Sequence, residues 1–95
     1  MDFLWGKKGD TMKNKYLIIV SVPMLEKEFN IYIPIVKKVG IIKNLIINVV
    51  EENSDGNFVN DGCKHLYYKS TGEQLDDNQY VKYSDIQSGT RLILY

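Results

Sequence analysis

The stretch VGIIKNLIINVVEEN, residues 39–53, breaks with the period of the sequence on either side of it. Ile41, Ile42, Leu45, Ile46, Val49 and Val50 recur at i, i+1, i+4, i+5, i+8 and i+9, which gathers them along one side of an α-helix. Lys43, Asn44, Asn48, Glu51 and Glu52 fall elsewhere around the turn. β-Branched residues are middling helix formers, so burial of this stripe, and not intrinsic propensity, must hold the helix. The stripe therefore needs an apolar surface to lie on. Downstream, NSDGN (53–57) stops the helix, with Gly56 a candidate for a left-handed cap.

Outside this stretch the period is two. KYLIIVSV (15–22) is rich in β-branched and aromatic residues and is stopped by Pro23. In EFNIYIPI (28–35), Phe29, Ile31 and Ile33 share one face while Glu28, Asn30 and Tyr32 share the other; Pro34 cannot donate to a ladder and closes the run. PMLEK (23–27) joins the two strands as a hairpin with a wide turn. After the helix, FVNDG (58–62) reads as loop and KHLYYKS (64–70) as a strand, which Thr71-Gly72 turns into the short piece EQLDD. QYVKYSDIQSG (79–89) holds a helical turn around Tyr83–Asp85, an apolar anchor at Ile86 and a tight turn at Gly89. TRLILY (90–95) is the last strand.

This order limits the topology. A hairpin can cover the helix stripe, and the last strand fits best beside the first, parallel to it and in the middle of the sheet. Parallel neighbours require a crossover, which the helix and the following loops provide. The expected architecture is α+β: a β-grasp, with a mixed four- or five-stranded sheet and one helix packed across one face. Residues 15–95 would form that domain, and residues 1–14, which have no periodicity, a mobile arm.

Ninety-five residues suit one domain with one core. The 44% hydrophobic and 25% charged shares are those of an ordinary globular protein. Net charge is zero, yet residues 1–50 hold eight Lys against four acids, and residues 51–95 hold four bases against eight acids. The halves thus carry +4 and −4, a dipole suited to orienting a partner. With one Arg and no net charge, strong affinity for nucleic acid is not expected. The longest apolar runs fall well short of the ~20 residues of a membrane span, and the opening MDFLWGKKGD lacks the order of a signal peptide. The single Cys63 admits no internal disulfide, in keeping with a cytoplasmic location. Eleven Lys, eleven Ile and eight Asn with no Ala suggest AT-rich codons and a low-GC bacterial host.

The first strand is apolar on both faces: Leu17, Ile19 and Ser21 on one, Tyr16, Ile18, Val20 and Val22 on the other. Alternation alone does not say which face meets the helix. A strand with one solvated face normally alternates with polar residues, so the surplus is informative. Tyr32, Tyr67 or Tyr68, Ile93 and Tyr95 are expected on the open side with Leu17 and Ile19, forming an apolar-aromatic surface for a protein partner or for a second copy of the chain. The competing expectation is that Phe3, Leu4 and Trp5 of the arm fold back and cover it.

GEQLDD and VKYSDIQSGTRLILY (72–77 and 81–95) resemble the end of ubiquitin, with its Gly-x-Gln-Leu-acid-acid piece, Ser-Asp helical turn, Ile-Gln pair and closing Thr-containing strand. VGIIKNLI and IQSGTRLIL further resemble the YukD family, ubiquitin-like accessory proteins of Gram-positive type VII (ESX-like) secretion. Ile86, Gly89, Arg91, Leu92 and Leu94 fit that family's ending, whereas Thr90 stands where an acid is common and residues 1–14 depart from the pattern. The resemblance implies a non-enzymatic, non-conjugated interaction module whose partners belong to a secretion machinery. Ubiquitin and the β-grasp sulfur carriers use a flexible Gly-Gly tail; TRLILY has none, which disfavours the alternative of a modifier or sulfur carrier.

Candidate chemistry is sparse. Cys63 and His65 in CKH share a strand face, but a zinc site needs more ligands than one Cys and one His supply. Asn53, Asp55 and Asn57 mimic the start of a calcium loop, yet Phe58 and Lys64 stand where its Gly and Glu belong. No glycine-rich loop opens a helix after a strand, so no phosphate cradle is present. No catalytic residue, metal or cofactor is expected.

Overall fold

A computed structural model describes residues 14–58, 60 and 62–95. The order is β1 (Lys15–Val22), β2 (Lys27–Pro34), α1 (Val39–Glu52), β3 (Leu66–Tyr68) and β4 (Arg91–Leu94), with single 3₁₀ turns at Pro23–Leu25 and Val81–Tyr83. The strands form one four-stranded sheet in the order β2-β1-β4-β3. β1 is antiparallel to β2, β4 is parallel to β1, and β3 is antiparallel to β4. The fold is an α+β β-grasp, with the C-terminal strand in the sheet interior as its crossover predicts.

The sheet buries the Ile18, Val20 and Val22 face of β1 together with Ile31, Ile33, Leu66, Leu92 and Leu94. α1 lays Val39, Ile42, Ile46, Ile47 and Val50 over it, and Phe58, Leu75, Val81 and Ile86 from the loops close the margins. This differs from the predicted stripe. The buried face is rotated toward Val39 and Ile47, leaving Leu45 and Val49 half-buried and Ile41 55% exposed. Ile41 lies opposite Val39 and Ile47 around the helix, so a sheet that takes those two leaves Ile41 in solvent.

The helix starts without a capping side chain at Lys38. Loop carbonyls replace it: the amide of Val39 donates to Gln79 O at 2.8 Å and that of Gly40 to Asp77 O at 3.0 Å. Gly40 permits this approach, since a Cβ there would stand 3.3 Å from Asp77 O. At the other end the cap is Asn53, whose Nδ2 donates to Val49 O at 2.7 Å. Gly56 does take a left-handed φ of 82°, but three residues past the cap, where it shapes the exit loop instead.

Smaller shifts follow the same logic. β3 is three residues long, not seven, and the helical turn sits at Val81–Tyr83 and not at Tyr83–Asp85. The hairpin turn is wide, with Glu26 left-handed at φ 54° and its amide on Pro23 O. Gly89, at φ 92°, donates to Leu17 O at 2.7 Å, and Ile19 donates to Thr90 O at 3.0 Å; these bonds deliver β4 to β1. Asn14, just before β1, has its carbonyl accepting from the Ile35 amide at 2.9 Å. The rest of the expected arm, including Phe3, Leu4 and Trp5, lies outside the described residues, and so do Val59 and Asp61.

Candidate functional site: the open face of the sheet

Burial of Ile18, Val20 and Val22 assigns the faces of β1: Leu17, Ile19 and Ser21 look away from α1 and are half-buried. Across the sheet, Leu17 stands opposite Tyr32, Ile19 between Asn30 and Arg91, and Ser21 between Glu28 and Ile93. Tyr67 faces Ile93 on the far side. Of the two candidate tyrosines of β3, Tyr67 takes the open face, while Tyr68 packs against the core beside Leu66. Tyr95 extends the alternation beyond Ile93, is 71% exposed, and exchanges both backbone hydrogen bonds with His65 at 2.9 and 3.1 Å.

Leu17, Ile19, Tyr32, Tyr67, Ile93 and Tyr95 are thus placed on one side of the sheet by their strands' alternation. They do not form an unbroken apolar field. Glu28 on β2 accepts from Ser21 Oγ at 3.2 Å and lies 3.5 Å from Arg91 Nη1 and 3.8 Å from Lys69 Nζ. One carboxylate on an edge strand thereby links side chains on β1, β4 and the end of β3. Arg91 and Lys69 are neighbours, the Lys69 amide donating to Arg91 O at 3.1 Å. This polar crossing escapes a strand-by-strand reading, although Glu28 and Tyr32 already share a face in the alternation of β2.

A groove of about 440 Å³ opens at the Tyr95 end, between Met24, Phe58, His65, Tyr67 and Tyr95. Gln74 Nε2 lies 3.3 Å from His65 Nδ1, so one ring nitrogen of this histidine meets a neutral amide. Cys63 is exposed at the rim. Among the described residues no three His, Cys, Asp or Glu side chains cluster as metal ligands would. No helix among them is long and apolar enough to cross a membrane. The surface combines half-buried aliphatic groups, tyrosines with polar tips, and a belt of charged side chains around Glu28.

No protein-family model matches the chain, and no curated protein matches it in sequence. Solved structures do resemble it. The ubiquitin-like domain of an Arabidopsis thaliana protein superposes with a TM-score of 0.64 at 22% identity, covering 86% of this chain and 77% of that one. The EccD5 ubiquitin-like domain from Mycobacterium xenopi gives 0.73 at 13% identity, over 85% of this chain and 92% of that one. A chain of the MycP5-free ESX-5 inner membrane complex gives 0.74 at 15% identity, over 86% of this chain and 21% of that much longer one. At these identities the likeness is one of fold: ubiquitin-like.

Proposed function

We propose that this domain is a non-enzymatic, non-conjugated interaction module that serves as an accessory component of a type VII secretion system, in the manner of the YukD family. The observation that carries the reading is the open sheet face, where Leu17, Ile19, Tyr67 and Ile93 remain half-exposed and Tyr32 and Tyr95 are exposed in a domain whose opposite face is packed. An exposed apolar surface crossed by oriented charges is suited to a protein partner. The choice of secretion machinery rests on the YukD-like VGIIKNLI and IQSGTRLIL segments. It also draws support from the TM-scores of 0.73 and 0.74 with the two ESX-5 domains, against 0.64 for the plant domain.

On this reading the partner is a cytoplasmic part of the secretion complex, and the sheet face is the contact. The test is affinity purification of the tagged chain from cells that express the secretion ATPase and its membrane components, beside Ile93→Asp. Recovery of those components by the unmutated chain and their loss with Ile93→Asp is the expected result. Recovery of none of them, together with intact export in a deletion strain, would overturn the proposal. Sedimentation of the same two proteins separates a second reading, self-association through this face, which requires a dimer that Ile93→Asp abolishes.

A further inference from the structure

On another side of the domain, four large apolar side chains stand exposed together: Val36 at 51%, Ile41 at 55%, Tyr80 at 42% and Tyr83 at 70%. They line two adjoining grooves of about 290 and 280 Å³ that share Val36 and Tyr80. The floor is built. The segment between β2 and α1 is zipped to the loop around Tyr80, with Lys82 N–H donating to Ile35 O, Val81 N–H to Lys37 O and Val39 N–H to Gln79 O, at 3.0, 3.0 and 2.8 Å. Tyr80 and Tyr83 meet edge to face, their centroids 6.3 Å apart.

The rim is cationic. Lys38 Nζ sits 5.6 Å from the Tyr80 ring centre and Lys82 Nζ 5.1 Å from that of Tyr83, and Lys37 lines the groove beside Ile41. None of these three lysines makes an ion pair among the described residues. Asp77, beside the same loop, is engaged by Lys43 at 3.0 Å. Three ammonium groups thus surround an exposed apolar floor, and no carboxylate among the described residues answers them. Folding gains nothing from leaving Ile41 in water on a helix whose other branched residues are buried or half-buried.

We infer that this platform is a second docking site, which takes an acidic segment of a partner protein carrying large apolar side chains between its carboxylates. Carboxylates would meet Lys37, Lys38 and Lys82, while the apolar groups would enter the grooves beside Val36, Ile41 and Tyr80. Two adjoining shallow grooves with lysines beside them suit a segment that presents apolar side chains and carboxylates at intervals. The inference stands apart from the sheet-face reading, because it uses none of the same residues.

The test is an NMR titration of the isotopically labelled full chain with a short amphipathic peptide of Glu and Leu/Phe, beside its Lys-for-Glu counterpart and anionic phosphatidylglycerol vesicles. The expected result is shift changes confined to residues 36–41 and 80–83, with affinity falling as salt rises. The double variant Lys38→Glu, Lys82→Glu, at exposed positions and verified folded by circular dichroism, should weaken binding about tenfold. Ile93→Asp should leave it unchanged, so failure here and failure of the sheet-face reading are distinguishable. Shifts centred on the open sheet face, equal binding of the Lys peptide, or unaltered binding by the double variant would overturn the inference. So would no shift at any peptide concentration, capture of this surface by vesicles but not peptide, or dimerisation of the chain through the same residues.

Discussion

Val20 of β1 stands opposite Leu92 of β4 in a parallel pair, and both side chains are completely buried. The pair joins residues far apart in the chain at the centre of the sheet, beneath the helix. It makes the C-terminal strand part of the core and not a trimming at its border.

Leu92→Ala should therefore cost about 3 kcal/mol, the range for emptying a well-packed aliphatic site. Urea unfolding followed by circular dichroism measures it. A loss below about 1 kcal/mol, as at a peripheral strand, would contradict the interior placement.

Ile41 and Ile42 are adjacent in sequence and opposite in environment, at 55% and 1% exposure. Ile42→Ala should cost about 2–4 kcal/mol. Ile41→Ala should stay within about 0.5 kcal/mol of the parent, because alanine's better helix propensity offsets the small amount of burial given up. Thermal melts of the two variants side by side test the rotation of the helix face; equal losses would mean that the face is wrongly assigned.

Ser54 is buried, donates its hydroxyl to Glu51 O at 3.1 Å and accepts from the Phe58 amide at 3.2 Å. Ser54→Ala deletes a small group but leaves the Phe58 amide unanswered in a buried turn. The expected cost is about 1–2 kcal/mol, more than removing one small atom from a packed turn would give by itself. Amide hydrogen exchange should locate the weakening at Phe58, with little change in β1.

Lys43 Nζ and Asp77 Oδ2 lie 3.0 Å apart and tie the second turn of α1 to the loop that caps its start. Lys43 is mostly shielded and Asp77 half-exposed, so the pair keeps much of its solvent screening. A double-mutant cycle with Lys43→Ala and Asp77→Ala should return a coupling of about 0.5–1 kcal/mol. It should shrink in about 1 M salt, where the screening length is near 3 Å. A coupling indifferent to salt would point to packing of the lysine stem as the real link.

Much of the architecture is written along the chain. β1, the β2 alternation and the change to a helical period at Val39 are local properties, and the pairing of β4 with β1 follows from the crossover that a parallel strand requires. Alternation groups Leu17 with Ile19 and puts Tyr32, Ile93 and Tyr95 on single faces of their strands, but it leaves Tyr67 and Tyr68 as alternatives that the packing of β3 decides. Glu28's reach to Arg91 and Lys69 is not legible along the chain, because it joins three separate segments.

Local pattern settles what can be read within one element's own period: which segments are strands, which is helix, and in what order they come. Facing is different. With branched apolar residues on both sides of β1, alternation offers two equivalent answers, and only the helix lying on one side removes the equivalence. The same packing turns α1 so that Ile47 goes in and Ile41 comes out, and brings the carbonyls of Asp77 and Gln79 to a helix start that carries no cap of its own. The burial of one β1 face and the capping of the helix start by Gln79 and Asp77 are relations between distant segments, so they exist only once the chain has folded.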